Sequence, residues 1–310
     1  MSTHDKKLIV MLVFGVLAMS NYARDKSNCP PKLEGFYLGQ KPPGAIPQVF
    51  LPGVVSTREY FEFSNTISPD GREFYFARRI KNKDVQMVVR WKNGVLTQPE
   101  EAAVLKAAGG FEPHVSPDGS KLYMTRFAPP PSGLGRDENL SPQDMEARMV
   151  NIWAVEKSSS GWGEPKYCVN GMYVTTTRPG SIFTTDIRSA SVGICRYLSV
   201  NGKYSEREHL RGGVNSPAPG AHPCISPDES YLVFDSKRSK NPDDSDLFVS
   251  FHDGQGTWSE AFNLGPQINT PASEICAALS PDGKYLFFQS RGDIYWVGTS
   301  IIEALRPKSK

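Results

Sequence analysis

The sequence predicts an all-β protein built from repeated four-stranded antiparallel units. Three features support this prediction: a recurring Ser-Pro-Asp turn, an alternating apolar strand after each turn, and a glycine-containing hairpin further along each unit. One such unit of about 50 residues leaves both faces of its sheet uncovered, whereas units packed radially cover the faces of their neighbours. The architecture that meets this requirement is a β-propeller.

The turn motif sets the number of units. Ser-Pro-Asp-Gly occurs at residues 68–71, 116–119 and 280–283, and the variant Ser-Pro-Asp-Glu occurs at 226–229. Proline presets φ at the second turn position, and Asp and Gly suit the positions after it. The copies start 48, 110 and 54 residues apart, so the middle spacing is about twice the others. We therefore expect a degenerate copy near residues 180–186 and a five-bladed propeller, with six blades as the alternative.

Each turn is followed by the same series of strands. The second strand of each unit is expected at residues 73–76, 121–124, 231–234 and 285–288, and the third at 85–89, 151–155, 191–198, 246–250 and 293–297. Hairpin signals follow at Asn93-Gly94, Ser160-Gly161, Asn201-Gly202 and Asp253-Gly254. Asn-Gly and Asp-Gly suit the hairpin turns that need positive φ. A short fourth strand completes each unit.

The last unit, which starts at residue 280, lacks its own fourth strand. Residues 47–51, followed by Ser56-Thr57 and Glu62, are similar to residues 262–264, followed by Asn269-Thr270 and Glu274. We therefore expect the N-terminal strand to pair with the last unit, which removes the open sheet edges. The capping-box spacing of residues 300–303 predicts a short C-terminal helix. Pro142 suits the first position of another helix.

The fullest copy of the repeat resembles a known family. Ser-Pro-Asp-Gly, then Tyr-Leu-Phe-Phe at 285–288 and Asp-Ile-Tyr-Trp at 293–296, resemble the TolB-like (WD-type) propeller repeats of exported bacterial proteins. The resemblance covers about residues 48–299 and is strongest over 220–299. It implies the propeller fold. It implies no single activity, because such relatives include periplasmic scaffold proteins, peptidase propeller domains and polysaccharide lyases.

The N-terminal residues have the pattern of a secretory signal. Lys6-Lys7 precede an apolar run at residues 8–19, and small residues follow at Ser20 and Ala23. Such a run is shorter than the roughly 20 residues that span a bilayer. We expect a signal peptide over 1–23, with an uncleaved anchor as the alternative, then an extension over 24–45, the propeller over 46–299 and a helix and tail over 300–310. The protein is then periplasmic or secreted.

Charge and cysteine content exclude some classes of protein. The chain has 35 basic and 33 acidic residues, a formal net charge of +2, and no concentration of positive charge that would favour nucleic acid. We expect a monomer. The five cysteines have no Cys-x-x-Cys spacing, so a metal knuckle is not expected. We interpret them as small buried apolar residues, although an oxidising compartment permits disulfides.

The candidate site lies at one mouth of the central channel. First strands begin, and second strands end, at the same face of a propeller. This face is expected to collect Glu62, Glu112, His114, His222 and Glu274 from the first strands and Arg78, Arg126, Arg238 and Arg291 from the ends of the second strands. The loop at residues 128–146 would overhang it. Arginine holds carboxylates by paired hydrogen bonds, so the set suits a protein partner or an anionic glycan. Alternatively, the arginines pair with carboxylates of neighbouring blades.

Two functions remain open on the sequence alone. The first is a non-catalytic binding module without a cofactor. The second is a lyase or hydrolase of acidic polysaccharide, with Glu112, His114 and His222 as an acid/base set or as ligands of a divalent metal. Alternation along a strand would place Glu112 and His114 on the same side.

Overall fold

Repeated four-stranded sheets make up the protein. The computed structural model describes residues 37–132, 142–188, 192–238 and 244–308. Within these residues, five antiparallel sheets are arranged as the blades of a β-propeller, and the prediction of five blades is confirmed. The expectations for residues 1–36 and 133–141, which include the signal peptide, Cys29 and part of the loop at 128–146, lie outside the described residues.

The strands follow the predicted order, and the first strand of each blade lies nearest the channel. Blade 1 contains β2 (Phe61–Ile67), β3 (Glu73–Ile80), β4 (Lys83–Lys92) and β6 (Glu100–Glu101), with β5 (Val95–Leu96) in its hairpin. Blade 2 contains β7 (Phe111–Val115), β8 (Lys121–Phe127), β9 (Val150–Ser158) and β11 (Lys166–Asn170), with β10 (Gly161–Trp162) in its hairpin.

Blade 3 contains β12 (Met172–Thr176), β13 (Ile182–Asp186), β14 (Gly193–Tyr197) and β17 (Glu208–His209), and a separate hairpin is formed by β15 (Ser199–Val200) and β16 (Lys203–Tyr204). Blade 4 contains β18 (Ala221–Ile225), β19 (Tyr231–Ser236), β20 (Asp246–Phe251) and β21 (Phe262–Asn263), and blade 5 contains β22 (Glu274–Leu279), β23 (Tyr285–Ser290), β24 (Asp293–Gly298) and β1 (Gln48–Val49).

The Ser-Pro-Asp turns join the first and second strands. In blade 1, the hydroxyl of Ser68 donates to Asp70 at 2.5 Å and accepts from the N–H of Glu73 at 2.9 Å. Blade 3 lacks the motif, yet the N–H of Gly180 donates to the carbonyl of Thr177 at 3.0 Å and closes an equivalent turn. The degenerate copy therefore lies where the spacing predicts it. We call the side of the ring that carries these turns the proline-turn face.

The N-terminal strand closes the ring. Gln48 pairs with Trp296 and Val49 with Tyr295 in antiparallel register, as predicted. The N–H of Phe50 donates to the carbonyl of Ile294 at 2.8 Å and extends this pairing. Phe50 is fully buried, and its ring lies 4.6 Å from that of Phe74 in blade 1. One short segment thus joins the last blade to the first through both hydrogen bonds and apolar contact.

Short helices lie outside the sheets. The two predicted helices are α2 (Pro142–Ala147) and α3 (Ser300–Glu303), whereas α1 (Ala103–Ala108) was not predicted. The predicted capping box at residues 300–303 is wrong. Thr299, not Ser300, is the N-cap residue of α3, and no side-chain hydrogen bond caps the helix. None of the helices in the described residues is long and apolar enough to span a bilayer. The described cysteines form no disulfide, and Cys195, Cys224 and Cys276 are buried.

Candidate functional site

The strand register defines the face opposite the proline turns. Glu62 at the start of β2 pairs with Arg78 at the end of β3, and Glu274 in the same way pairs with Ser290. First strands therefore begin where second strands end, which is the geometry that the sequence predicts. We call this side of the ring the strand-start face.

A β-bulge interrupts the first strand of every blade. Each bulge contains a non-glycine residue with positive φ, which L-residues adopt rarely. These five residues, which we call the bulge ring, are Ser64, Glu112, Tyr173, His222 and Cys276, with φ of 44°, 52°, 57°, 45° and 55°. All five are buried. The bulges redirect these side chains, so simple alternation along the strand does not predict which way they point.

Hydrogen bonds from second strands connect the bulge ring between neighbouring blades. The hydroxyl of Thr125 accepts from the N–H of Tyr173, and the hydroxyl of Thr185 accepts from the N–H of His222, both at 3.0 Å. In blade 4 the equivalent residue is Asp235, whose carboxylate accepts from the N–H of Cys276 at 3.2 Å. Asp235 thus makes the same contact between blades as the threonines and adds a negative charge beside the channel.

That charge is paired with an imidazole. Nδ1 of His222 lies 2.9 Å from Oδ1 of Asp235. Burial acts to lower the pKa of His222, but the negative charges of Asp235 and Glu112 outweigh it and raise the pKa above its ordinary value. Burial raises the pKa of Glu112, against the opposing effect of His222. Glu112 and His222 are 5% and 6% exposed, so a ligand at the mouth has almost no access to either group.

His114 does not join this pair. Its Nε2 accepts from the N–H of Thr176 at 3.1 Å, and burial lowers the pKa of the imidazole to about 4. The bulge between Phe111 and His114 breaks the alternation on which the sequence argument relied. Glu112 instead accepts from the hydroxyl of Thr125 in its own blade, at 2.9 Å. Among the described residues, no group of three or more His, Cys, Asp and Glu side chains could hold a metal ion.

Two of the four arginines are engaged inside the fold. Nε of Arg78 donates to Glu62 at 3.0 Å, and its Nη2 donates to the carbonyl of Val54 at 2.8 Å. The guanidinium of Arg238 donates to backbone carbonyls of the segment that precedes β18, including that of Val214 at 2.6 Å. Arg291 has a φ of 52° in the turn between β23 and β24. Arg78 and Arg238 therefore have structural roles, although neither pairs with a carboxylate of a neighbouring blade, which was the alternative that the sequence left open: Glu62 lies in the same blade as Arg78, and Arg238 donates to backbone carbonyls.

Glu62 and Glu274 are equivalent in their blades. Glu62 accepts from the hydroxyl of Thr57 at 2.7 Å, and Glu274 accepts from the hydroxyl of Thr270 at 2.8 Å. Burial raises the pKa of each carboxyl to about 7, against the effect of these hydrogen bonds. Both side chains are fully buried and hold the loops that enter the first strands. They lie beneath the strand-start face and not on it.

Aromatic residues lie on the strand-start face of blades 1 and 2. Phe127 is 70% exposed, and its ring stacks on that of Phe111 with 4.9 Å between centroids. In blade 1 the Phe61 and Phe63 rings lie 5.7 Å apart. We call these four residues the aromatic rim. The sequence analysis missed it, although an aromatic residue at the end of a strand, where the chain passes into solvent, is a signal that could have found it.

Two arginines lie next to residues of the aromatic rim. The guanidinium of Arg79 lies 5.3 Å from the centre of the Phe61 ring and donates to Asp84 at 2.8 Å. The guanidinium of Arg126 lies 4.5 Å from the centre of the Trp153 ring. Nε of Arg126 is buried and has no hydrogen-bond partner among the residues that the structure describes. Arg126 is therefore a predicted site residue that the fold places at this face with a buried guanidinium nitrogen to which none of the described residues offers an acceptor.

Comparison with known proteins gives resemblances in fold. No protein-family model and no curated protein matches the chain. Among solved structures, TolB from Acinetobacter baumannii is 16% identical over 76% of this chain and 53% of its own, with a TM-score of 0.45. The gluconolactonase XC5397 from Xanthomonas campestris is 12% identical over 78% of this chain and 87% of its own, with a TM-score of 0.43.

A thermostable family-43 glycoside hydrolase is 14% identical over 77% of this chain and 89% of its own, with a TM-score of 0.43. This chain spans about half the length of the TolB chain. At these identities the likeness concerns the fold and assigns no activity.

Proposed function

We propose that the protein is an exported, TolB-like, non-catalytic binding module that recognises a protein partner through the aromatic rim. The observation that carries the proposal is the exposure of Phe127, 70%, in a stacked pair with Phe111. Phe127 lies at the mouth of a rigid ring, and burying such a large aromatic side chain against a partner is favourable because it removes apolar surface from water. Long loops and strand ends on a rigid scaffold are common binding positions.

The composition of this face favours a protein over a glycan. Met145 and Met149, 57% and 41% exposed, lie in the segment that leads into β9, and Val150 at the start of β9 pairs with Phe127. Aromatic residues, methionine and arginine are enriched at the centres of protein interfaces. Methionine is flexible and adapts to irregular apolar surfaces. Flexible apolar side chains of this kind suit a partner's apolar side chains better than a sugar ring.

The arrangement of the candidate acid/base groups favours binding over catalysis. A general acid or base must come within hydrogen-bond distance of the substrate. Glu112 and His222 are buried and bonded to Thr125 and Asp235, and Nε2 of His114 already accepts from Thr176. In the aromatic rim, by contrast, Phe127 is open to solvent. It therefore offers accessible surface that the buried side chains of Glu112 and His222 do not.

Capture from envelope extract tests the proposal with a matched pair of variants. The purified protein, Phe127→Ser and Val95→Ser are each crosslinked to an envelope extract, and enriched proteins are compared. Val95 is 65% exposed but lies in the hairpin after β4, on the proline-turn side, so it controls for loss of any exposed apolar group. We expect one protein to be enriched by the wild type and by Val95→Ser but lost with Phe127→Ser. Equal enrichment by all three contradicts the proposal.

Two further measurements complete this test. An array of acidic glycans is probed with the same proteins. Binding that is lost only with Phe127→Ser would replace the protein partner by a glycan. Export is tested by fractionating cells that express the full chain or a chain without residues 1–23. We expect only the full chain in the periplasm or medium, and equal distribution of the two contradicts export.

A further inference from the structure

Arg78 and Arg126 are equivalent residues in two neighbouring blades. Each follows the serine of its Ser-Pro-Asp turn by ten residues and lies near the end of the second strand, at the strand-start face. In blade 1, Nε of Arg78 donates to Glu62 at 3.0 Å. Among the described residues no carboxylate lies within ion-pair distance of Arg126. The arginine is thus present in both blades, while its carboxylate is present only in blade 1.

The repeat shows why blade 2 lacks the carboxylate. Glu62 precedes its turn serine by six residues, and the equivalent residue in blade 2 is Gly110. A Cβ atom on Gly110 would lie 2.3 Å from Sδ of Met124 and 2.9 Å from its Cβ. Such distances are far below van der Waals contact, so a side chain there requires Met124 to move. The packing of Met124 therefore disfavours an internal partner for Arg126 at the repeat position.

None of the described residues compensates the charge of Arg126. One side of the guanidinium lies against the Trp153 ring at 4.5 Å, and Nε is buried with no acceptor in the described part of the chain. The residue as a whole is partly exposed at the strand-start face. A planar guanidinium held by an aromatic ring is preorganised for a carboxylate, which it binds by paired hydrogen bonds. Arg79, also beside the aromatic rim, is in contrast already paired with Asp84 at 2.8 Å.

We propose that Arg126 binds a carboxylate of the protein partner, from an aspartate or glutamate side chain, and so replaces the internal pair that blade 1 makes between Arg78 and Glu62. This inference rests on the proposed function, because it assigns the chemistry of a partner at the same face. Arg126 and Phe127 are consecutive residues of β8 and point to opposite sides of its sheet. The partner would therefore straddle the end of blade 2, with an apolar group at Phe127 and an acidic group at Arg126.

Small probes test the carboxylate site without the partner. Propionate copies the end of a glutamate side chain, and propionamide copies that of glutamine. The Nε–Hε resonances of the arginines are followed by NMR during titration of the whole protein with each probe. We expect propionate to shift the Arg126 resonance in a saturable way and propionamide to leave it in place. The Arg79 resonance, with its carboxylate already bound, should not move.

Three results would overturn the carboxylate site: an Arg126 resonance that propionate does not move, equal shifts by the two probes, or equal shifts at Arg79 and Arg126. The Arg126→Gln variant, tested in the capture experiment, separates this inference from the proposed function. If Phe127→Ser abolishes capture but Arg126→Gln does not, the binding module stands and the carboxylate site fails. If neither variant changes capture while propionate still shifts Arg126, the carboxylate site exists and the assignment to the partner fails.

Discussion

The hydroxyl of Tyr173 donates a hydrogen bond to the carbonyl of Ala277 at 3.0 Å, and the two residues belong to blades 3 and 5, which are not neighbours. Tyr173 therefore spans the channel. Its ring also lies 4.9 Å from that of His222 in blade 4, so one side chain connects three blades. Between Tyr173 and the proline-turn face there remains a cavity of about 50 Å³, which is room for a few water molecules. The channel is thus closed at the depth of the bulge ring, and a large ligand has to bind at a face.

Removal of the Tyr173 hydroxyl tests this connection. Tyr173→Phe leaves the ring in place but deprives the buried carbonyl of Ala277 of its donor, which costs about 1–3 kcal/mol. We expect a lower melting temperature in thermal unfolding followed by circular dichroism. Tyr60→Phe is the control, because Tyr60 is 37% exposed and its hydroxyl can bond to water. Equal melting temperatures for the wild type and Tyr173→Phe would mean that the bond between blades 3 and 5 contributes nothing to stability.

The pair of His222 and Asp235 predicts a pH-dependent effect. The groups that face His222 are Asp235, Glu112 and Tyr173, and the two carboxylates raise its pKa. A histidine whose pKa is higher in the folded state than its unfolded value of about 6.5 stabilises the fold at pH values below about 6.5. This contribution is lost as the pH rises through the folded-state pKa. Asp235→Asn keeps an oxygen for the N–H of Cys276 but removes the charge.

We therefore expect Asp235→Asn to lose more stability at pH 5 than at pH 8, by about 2 kcal/mol or more, because the buried imidazole can no longer be protonated without a neighbouring counter-charge. Urea unfolding at the two pH values measures this difference. Thr185→Val is a control that removes a hydrogen bond between blades without removing a charge. A loss for Asp235→Asn that is the same at both pH values would show that His222 is neutral in the folded protein.

Glu62 and Glu274 predict opposite effects for the same substitution. Both carboxyls have a pKa of about 7 through burial, but Glu62 is bonded to Arg78 whereas Glu274 accepts from the hydroxyls of Thr270 and Ser290. A carboxyl with a raised pKa stabilises the fold at low pH, and this contribution is lost as the pH rises through 7. Glutamine is neutral at every pH, so Glu274→Gln should raise stability at pH 8 by about 1–3 kcal/mol and change it little at pH 5.

Glu62→Gln should instead destabilise the protein at pH 8, because it leaves the buried guanidinium of Arg78 without its carboxylate. The two variants share the substitution and the position in the repeat, so they control for each other. Melting temperatures between pH 5 and pH 8 measure both effects. Destabilisation by Glu274→Gln at pH 8 would show that its carboxyl is ionised and well solvated in the folded state.

The sequence predicted the fold well because the copies of the repeat can be compared with one another. The likeness of residues 47–62 to residues 262–274 predicted the ring closure, and the same likeness now accounts for the matching bonds of Thr57 to Glu62 and Thr270 to Glu274. Fold and closure depend on local turn chemistry and strand alternation, which the sequence displays directly.

The candidate site was predicted less well, because its residues depend on contacts between blades. Positive φ at Glu112 and His222 breaks the alternation from which side-chain direction was inferred. Whether an arginine is free or paired depends on a residue in another segment, such as Glu62 for Arg78. Comparison of repeat positions would have shown Gly110 opposite Arg126, and it is the signal that sequence reasoning left unused.

Gly110 provides the last prediction, since its lack of a side chain is what leaves Arg126 without an internal carboxylate. Gly110→Ala places a Cβ atom 2.3 Å from Sδ of Met124 and should destabilise the protein by about 1–3 kcal/mol through overpacking. Gly44→Ala is the control, because its Cβ would meet no atom within 4 Å. Met124→Ala in the Gly110→Ala background removes the contact with Sδ at 2.3 Å and leaves only the Cβ contact at 2.9 Å. The double variant should therefore lose less stability than the sum of the two single variants in urea unfolding. Additive losses would show that contact with Met124 is not the source of the Gly110→Ala loss. No loss in Gly110→Ala alone would show that Met124 moves aside without cost, and that the fold does not exclude a side chain beside Arg126.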